Sequence, residues 1–312
     1  MAAPRVAIFA ERADWHGRRL NDAFTRLGAD ARCLPLATCG IRAGTGGNGL
    51  HLPKFDDGPP AAAFVKTVGT GSFEQVTMRL GVLHALREMG VAVVNDARAI
   101  ERCVDKSMTS FLLHRLDIPT PETWAVESAE EARKIVRAEA GPGRPLVLKP
   151  LFGSQGRGLK LVQSARALPA AAETQGVFYL QRYVAGPTAG WRDWRVFVIG
   201  GRAIAAMIRH GVQWRTNAAQ GAQCQGVPAT GEIADLAVAA VRAVGADYSG
   251  VDIIQDRRGR YLVLEVNSMP AWRALQTATG IEIADALAAL VMSKIEGARG
   301  RRPAAPKRSL AH

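Results

Sequence analysis

Apolar and polar positions along the chain switch between a period near two and a period near 3.6, and the switches mark out the elements. Arg5-Val-Ala-Ile-Phe-Ala10 is a short apolar run of β type, and Trp15 to Leu27 has helical spacing that stops at Gly28. A loop rich in Gly, Pro and Asn, Thr38 to Pro60, precedes the apolar Ala61 to Lys66, the amphipathic Phe73 to Met89 and the apolar Val91 to Val94. Strands alternating with helices predict an α/β layer with parallel strands. The pattern changes after Asn95-Asp96. Helices are expected around Ala97 to Cys103 and Lys106 to Leu116, the second stopping before Ile118-Pro-Thr-Pro121. A strand at Thr123 to Val126 follows, then a helix from Ser128 to Glu139, with Ser128 as its cap and Glu131 three residues on. Strands at Pro145 to Lys149 and Leu159 to Val162 flank a glycine-rich turn. From Phe178 the spacing predicts a large mixed sheet: Phe178 to Tyr183, Arg195 to Ile199, Ala203 to Ile208, Tyr248 to Ile254 and Tyr261 to Val266, with a helix at Ile233 to Val244. There is no internal repeat and no sustained heptad.

Composition narrows the class. The 312 residues, 48% hydrophobic and 22% charged, suffice for about two domains with a substantial core, which excludes global disorder. Apolar stretches such as Val6 to Ala10 and Ala284 to Met292 with its embedded Asp285 fall well short of the roughly 18 residues that span a bilayer. The apolar run after Arg5 ends at Glu11, too early for a secretory signal, so the cytoplasm is the expected compartment and no membrane partner is expected. Cys33, Cys39, Cys103 and Cys224 form no CxxC pair and have no companion histidine spacing, which supports neither a zinc site nor a disulfide framework.

Charge matters by position. The net charge is +12, with 40 Lys plus Arg against 28 Asp plus Glu, and Arg far outnumbers Lys. Five of the charges, Arg299, Arg301, Arg302, Lys307 and Arg308, fall in a terminal stretch without acids, expected to be a disordered tail. A second excess runs from Arg182 to Arg215, where Arg182, Arg192, Arg195, Arg202, Arg209 and Arg215 face only Asp193.

Three segments carry candidate chemistry. Lys149 ends a strand and is followed by Gly153, Ser154, Gly156 and Gly158; such a loop lets backbone N–H groups approach phosphate while the lysine adds charge. It is neither a Walker A loop nor a Rossmann fingerprint, and the same glycines would serve a plain hairpin turn. Asp252 lies in one apolar strand, and Glu265 and Asn267 lie two apart in the next, with Leu264 and Val266 expected to point to the core. In a hairpin these strands would put two carboxylates and one amide oxygen on one face. Such hard donors suit Mg²⁺, and ordinary strand residues facing solvent are the alternative. The third segment holds Asp193, Arg195, Arg215 and Asn217 among Trp191, Trp194 and Trp214, suited to gripping phosphoryl or carboxylate oxygens and also to a nucleic-acid surface.

The ordered set is more specific than any one segment. Val94-Asn-Asp-Ala-Arg-Ala-Ile100 through Asp105-Lys106 to Pro121, Leu148-Lys-Pro150 with Gly153-Ser-Gln-Gly156, Gln181-Arg-Tyr-Val184, Asp193-Trp-Arg195, Arg215-Thr-Asn217, Gly250-Val-Asp252 and Glu265-Val-Asn267 together resemble the ATP-grasp superfamily, specifically RimK-type glutamate ligases, over roughly residues 60 to 290. Gly71-Ser-Phe-Glu-Gln75, Arg79, Leu83-His84 and Val104-Asp-Lys106 look closest to the branch that adds glutamate to tetrahydromethanopterin or a deazaflavin coenzyme. The resemblance implies an N-terminal α/β domain (1–96), then two α+β lobes of an ATP-grasp fold (97–178 and 179–296) and the basic tail (297–312).

It implies also that Lys106 and Lys149 contact ATP phosphates, that the loop from Gly153 to Gly158 closes over them, and that Gln181, Arg182, Tyr183 and Val184 hold adenine through backbone groups. Asp193 would meet the ribose or nearby atoms. Asp252, Glu265 and Asn267 would bind one or two Mg²⁺ ions, with Mn²⁺ as an alternative, and Arg195, Arg215 and Asn217 would face the γ-phosphate and the reacting carboxylate. The implied reaction is ATP-dependent amide formation through an acyl phosphate, joining L-glutamate to a small-molecule carboxylate acceptor such as a pterin. Modification of a protein C-terminus, a nucleotide-binding relative without ligase activity and a non-catalytic nucleic-acid or ribosome binder are the alternatives; nucleic acid is disfavoured and a homo-oligomer is left open. The chain departs from the pattern at Ala218-Ala-Gln-Gly221 and Ser268-Met-Pro-Ala-Trp272, where acceptor and amine should bind.

Overall fold

A computed structural model describes residues 2–12, 14–44, 47–153, 156–186, 190–216 and 221–299. The chain forms two compact units, one of residues up to Val94 with those from Ala284 onward, the other Asn95–Ile283.

The first unit opens with β1 (Arg5–Phe9), α1 (Trp15–Arg26) and β2 (Asp30–Leu34). A short ladder of β3 (Gly40–Ile41) and β4 (Leu50–His51) lies within the stretch expected to be a loop, and β5 (Ala62–Val65), α2 (Phe73–Glu88) and β6 (Ala92–Val94) follow. The main sheet runs β2-β1-β5-β6, all parallel. β5 is buried along its whole length and β1 along all but its first residue, so both read as unbroken apolar runs without alternation. The helices start where side chains satisfy orphan N–H groups: Asp14 accepts from Gly17 N, and Ser72 and Gln75 form a reciprocal capping box.

The second unit begins with α3 (Ala97–Val104) and α4 (Lys106–Arg115), capped by Asp96 and Asp105. β7 (Thr123–Val126), α5 (Ala129–Glu139), β8 (Leu146–Lys149), β9 (Lys160–Val162) and β10 (Phe178–Arg182) build an antiparallel sheet of order β7-β10-β8-β9, backed by Ala132 and Val136 of α5. β11 (Trp191–Ile199), β12 (Arg202–Gly211), β13 (Gln223–Val227), α6 (Glu232–Val244), β14 (Tyr248–Gln255), β15 (Tyr261–Asn267) and α7 (Arg273–Thr279) complete the unit, with sheet order β13-β12-β11-β14-β15. This sheet is wholly antiparallel rather than mixed, and β10, expected in it, pairs with β7 and β8 instead. The lobe boundary expected at 178/179 therefore falls inside the smaller sheet.

The larger sheet has two unlike faces. Trp194, Val196, Val198, Val251, Ile253, Val263 and Val266 pack with the buried face of α6 into one apolar cluster. Asp193, Arg195, Asp252 and Glu265 belong to the other face. Two irregularities set the register. β11 and β12 join through Gly200 and Gly201, both at positive φ (56° and 75°) as a two-residue hairpin turn demands, and the ladder slips between Phe197 and Val198. On β15 an extra residue, Leu264, is accommodated where Asp252 faces Glu265 but Ile253 faces Val263.

α8 (Ile283–Arg299) ends the described chain. From Ala284 it belongs to the first unit, not to the lobe expected to run to 296: Asp285 pairs with Arg26, and Leu287, Ala288, Val291 and Ile295 are buried. Residues 297–299, expected in the tail, are helical; 300–312 lie outside the described residues. Among the described residues no helix is long and apolar enough to cross a membrane.

Candidate active site

Most of the residues singled out above line one cleft of the second unit, with about 1130 Å³ of empty space including its open mouth; Gly158, Arg195 and Asn267 stand behind that lining. Its floor is the polar face of the five-stranded sheet, where strand register places the charges. Asp193 is opposite Arg209 across β11 and β12, Arg195 is opposite Asp252 across β11 and β14, and Asp252 is opposite Glu265 across β14 and β15. The contacts follow. Arg209 Nε and its NH2 donate to the two oxygens of Asp193 at 2.6 and 2.7 Å, and the same NH2 reaches Asp252 Oδ1 at 3.0 Å. Arg195 grips Asp252 through Nε and through NH2, the latter at 2.7 Å to Oδ2. Thr216 donates its hydroxyl to Asp193. Burial alone would raise the Asp252 carboxyl, but the two guanidiniums outweigh it and hold the group below the ordinary carboxylate range.

The wall comes from the smaller sheet and α4. Lys149, last residue of β8, donates from Nζ to Gln181 Oε1 at 2.6 Å, and Gln181 Nε2 donates on to Thr123 Oγ1 and the Tyr179 hydroxyl. Its hydrogen-bond partner is thus a neutral dipole, and burial pushes it down to about 8. Lys106, first residue of α4, donates to Leu151 O at 3.1 Å and Gly153 O at 2.9 Å, with Glu265 Oε1 at 3.9 Å; burial lowers it too. It straps the start of the glycine loop as well as facing the cleft. Gly158 has φ 73°, and a Cβ there would stand 2.8 Å from Pro150 Cγ, so glycine is required. Ser154, expected in this loop, lies outside the described residues, as does Asn217.

The Gln181 to Val184 segment borders the cleft, but the N–H groups of Arg182 and Tyr183 already donate to Glu122 O and Pro145 O. Base contact through those two donors is therefore closed. The Arg182 side chain turns to Glu122 and Glu139. Arg215 lines the cleft, donates to Leu159 O at 2.6 Å and stacks over Trp214, while its Nε is buried without a hydrogen-bond partner. The arginine excess is accordingly not a single patch facing ligand. Arg182 is answered by acids outside the stretch, Arg195 and Arg209 are consumed by Asp193 and Asp252, Arg192 bonds Gln255, and Arg202 is exposed.

Leu264 does not point to the core as alternation predicted. The bulge sends Val263 and Val266 to the core and brings Leu264 and Glu265, though consecutive, both to the cleft. Leu264 and Ile254 thus add an apolar strip beside the carboxylates. Asn267 fixes its amide by donating Nδ2 to Gly250 O at 3.2 Å, which directs its oxygen away from that carbonyl.

Among the described residues no group of three His, Cys, Asp or Glu forms a metal cluster. The donor set still fits Mg²⁺ of one kind: an ion that takes few protein oxygens and completes its shell with water and phosphate. Glu265 is the least engaged acid, whereas Asp252 shares its oxygens with two arginines, so the residues suit an ion arriving with a nucleotide better than a resident one. Arg209 was not singled out from the sequence. The pairing that reveals it appears on counting outward from Gly200-Gly201 and allowing one extra residue for the slip.

The RimK-like ATP-grasp domain family matches residues 103–291. The chain is 36% identical over 231 residues to a tetrahydromethanopterin:alpha-L-glutamate ligase of Methanococcus maripaludis, covering 72% of this chain and 76% of that one. It is 31% identical over 304 residues to a probable alpha-L-glutamate ligase of Shewanella denitrificans, covering 93% and 96%. The solved structure of the ATP-grasp ligase PsnB complexed with minimal precursor, Mg and ADP superposes with a TM-score of 0.70 at 20% identity, over 93% of this chain and 97% of that one.

Proposed function

Because the chain belongs to the RimK-like ATP-grasp family and is an ATP-dependent ligase that forms C–N bonds, we propose that it joins L-glutamate to a small-molecule carboxylate acceptor, of which a tetrahydromethanopterin-type pterin is the first candidate. The observation that carries this reading is the convergence of Lys149, Asp252, Glu265 and Arg215 on one cleft. These are the cations and oxygen donors that a triphosphate and its Mg²⁺ require. The relatives named as glutamate ligases support the amine, and PsnB with Mg and ADP supports the nucleotide and ion.

In this reading Lys149 and Lys106 neutralise phosphate oxygens, and Ile254 and Leu264 give an apolar surface to the base. Glu265 and Asp252 with Asn267 would hold Mg²⁺, which when bound would supply further neutralisation of phosphoryl charge. A carboxylate oxygen of the acceptor attacks the γ-phosphorus and displaces ADP. The glutamate nitrogen then attacks the acyl carbon, loses a proton and displaces phosphate. No protein nucleophile is needed; Arg195 and Arg215 act by position and charge. Work in the cytoplasm suits this chemistry.

The test is ADP release and product mass with glutamate and an acceptor panel of pterins, deazaflavins and peptides. A species heavier by one glutamyl unit, formed only with ATP, is expected. A peptide product would move the acceptor to the protein class, and ADP release indifferent to every amine and carboxylate would overturn the reading.

A further inference from the structure

Arg209 is 3% exposed and stands between two acids that are each 4% exposed, Asp193 and Asp252. One guanidinium spans both: Nε and NH2 form a fork on Asp193, and NH2 also bonds Asp252. The two acids sit on different strands, β11 and β14, and among the described residues have no other common hydrogen-bond partner: Asp193 keeps the Thr216 hydroxyl, Asp252 keeps Arg195. Without Arg209 the site would hold two buried carboxylates with nothing rigid between them, an arrangement that costs more than either paired acid.

We infer that Arg209 is a positioning residue, which locks the nucleotide-facing Asp193 and the ion-facing Asp252 into one frame so that nucleotide and Mg²⁺ sites are set together. This rests on the ATP-grasp ligase reading of the cleft and adds a residue to it. The planar fork is what the position requires: lysine is a point charge and can serve one acid at a time. Arg209 lines the cleft floor but is 3% exposed, and its guanidinium is engaged by the two carboxylates it orients, through which it acts.

The experiment uses the full chain with Arg209→Lys and Arg209→Gln. ADP binding is measured by calorimetry in EDTA and again across a Mg²⁺ titration, with thermal melts followed by circular dichroism. In Arg209→Lys the Mg²⁺ concentration for half-maximal effect should rise about 10–100-fold, the usual loss when a residue orienting a metal ligand is removed. Metal-free ADP affinity should fall as well. In an Asp252→Asn background the same lysine substitution should change the Mg²⁺ requirement by less than about twofold, since neighbours acting through one group do not add. A purely structural role predicts a lower melting temperature with both affinities unchanged, and that result would overturn the inference. So would failure of both variants to fold, which would make Arg209 part of the scaffold. If the unsubstituted chain binds neither ADP nor Mg²⁺, the function reading itself falls.

Discussion

Replacing Lys149 with methionine keeps an unbranched side chain, shorter by one atom, and removes a charge that burial disfavours. Burial pushes this lysine from 10.5 to about 8 in the ligand-free chain. A phosphate beside it would restore its ordinary ionisation, so nucleotide binding is coupled to proton uptake. At pH 8.5 about a quarter of the free lysines carry the proton and nearly all do when bound, an uptake of about 0.75 proton per ADP. At high pH the linked free energy approaches about 3 kcal/mol, at about 1.4 kcal/mol per pKa unit. The sign for the chain alone is the reverse of a stabilising ion pair. Because burial depresses the folded pKa below the unfolded one, the folded state carries the full cost of the buried charge below about pH 8, and this cost fades as the pH rises toward 10.5. ADP's own terminal phosphate, whose second ionisation lies near pH 6, is already ionised at pH 8.5 and takes no part. The assay is calorimetry of ADP binding at pH 8.5 in two buffers of different ionisation enthalpy. The unsubstituted chain should take up about 0.75 proton more than Lys149→Met. Equal uptake in the two would refute the placement of Lys149 against phosphate.

Other substitutions test the frame around it. Gly250→Ala puts a Cβ 2.9 Å from Pro270 Cβ and 3.1 Å from Arg195 Cδ; overpacking of about 1–3 kcal/mol should lower the melting temperature, and displacement of the Arg195 fork should slow ADP release further than stability explains. Asn95→Ala removes a fully buried amide that bonds Tyr248 O, Ser268 O, Asp247 N and Tyr248 N; a loss of about 3 kcal/mol is expected in the urea midpoint, since buried groups left unmade cost about 1–3 kcal/mol each. Asp252→Asn leaves two buried guanidiniums without their shared anion and should cost about 3–5 kcal/mol in chemical denaturation, with a Mg²⁺ requirement for ADP binding raised at least about tenfold.

Much of the fold can be read from period alone, because β1 and β5 are buried on both faces and α1, α2 and α5 carry their caps in sequence. β13 escaped because Gln223–Val227 is polar and half-exposed, and α7 because seven residues without a side-chain cap carry too little signal. Of the site, Lys149, Asp193, Asp252 and Glu265 could be named because their chemistry is conspicuous among apolar neighbours. Arg209 could not, since its partner is 16 residues away and meets it only through a slipped hairpin. The basic stretch misled for a related reason: Glu122 and Glu139, which neutralise Arg182, lie far from it in sequence.

The extra residue in β15 has a bearing on how such a cleft can vary. A regular strand offers the cleft every second side chain, so an apolar surface and an oxygen donor at neighbouring positions would compete for one place. With Leu264 inserted, both are presented from consecutive residues, while Val263 and Val266 keep their places in the core. Loss of that single codon would leave Glu265 opposite Asp252 and every core contact in register, and would remove only the leucine. Grip on an apolar ligand and command of charge are thus separable here by a change in chain length, a step that substitution along a regular strand does not provide.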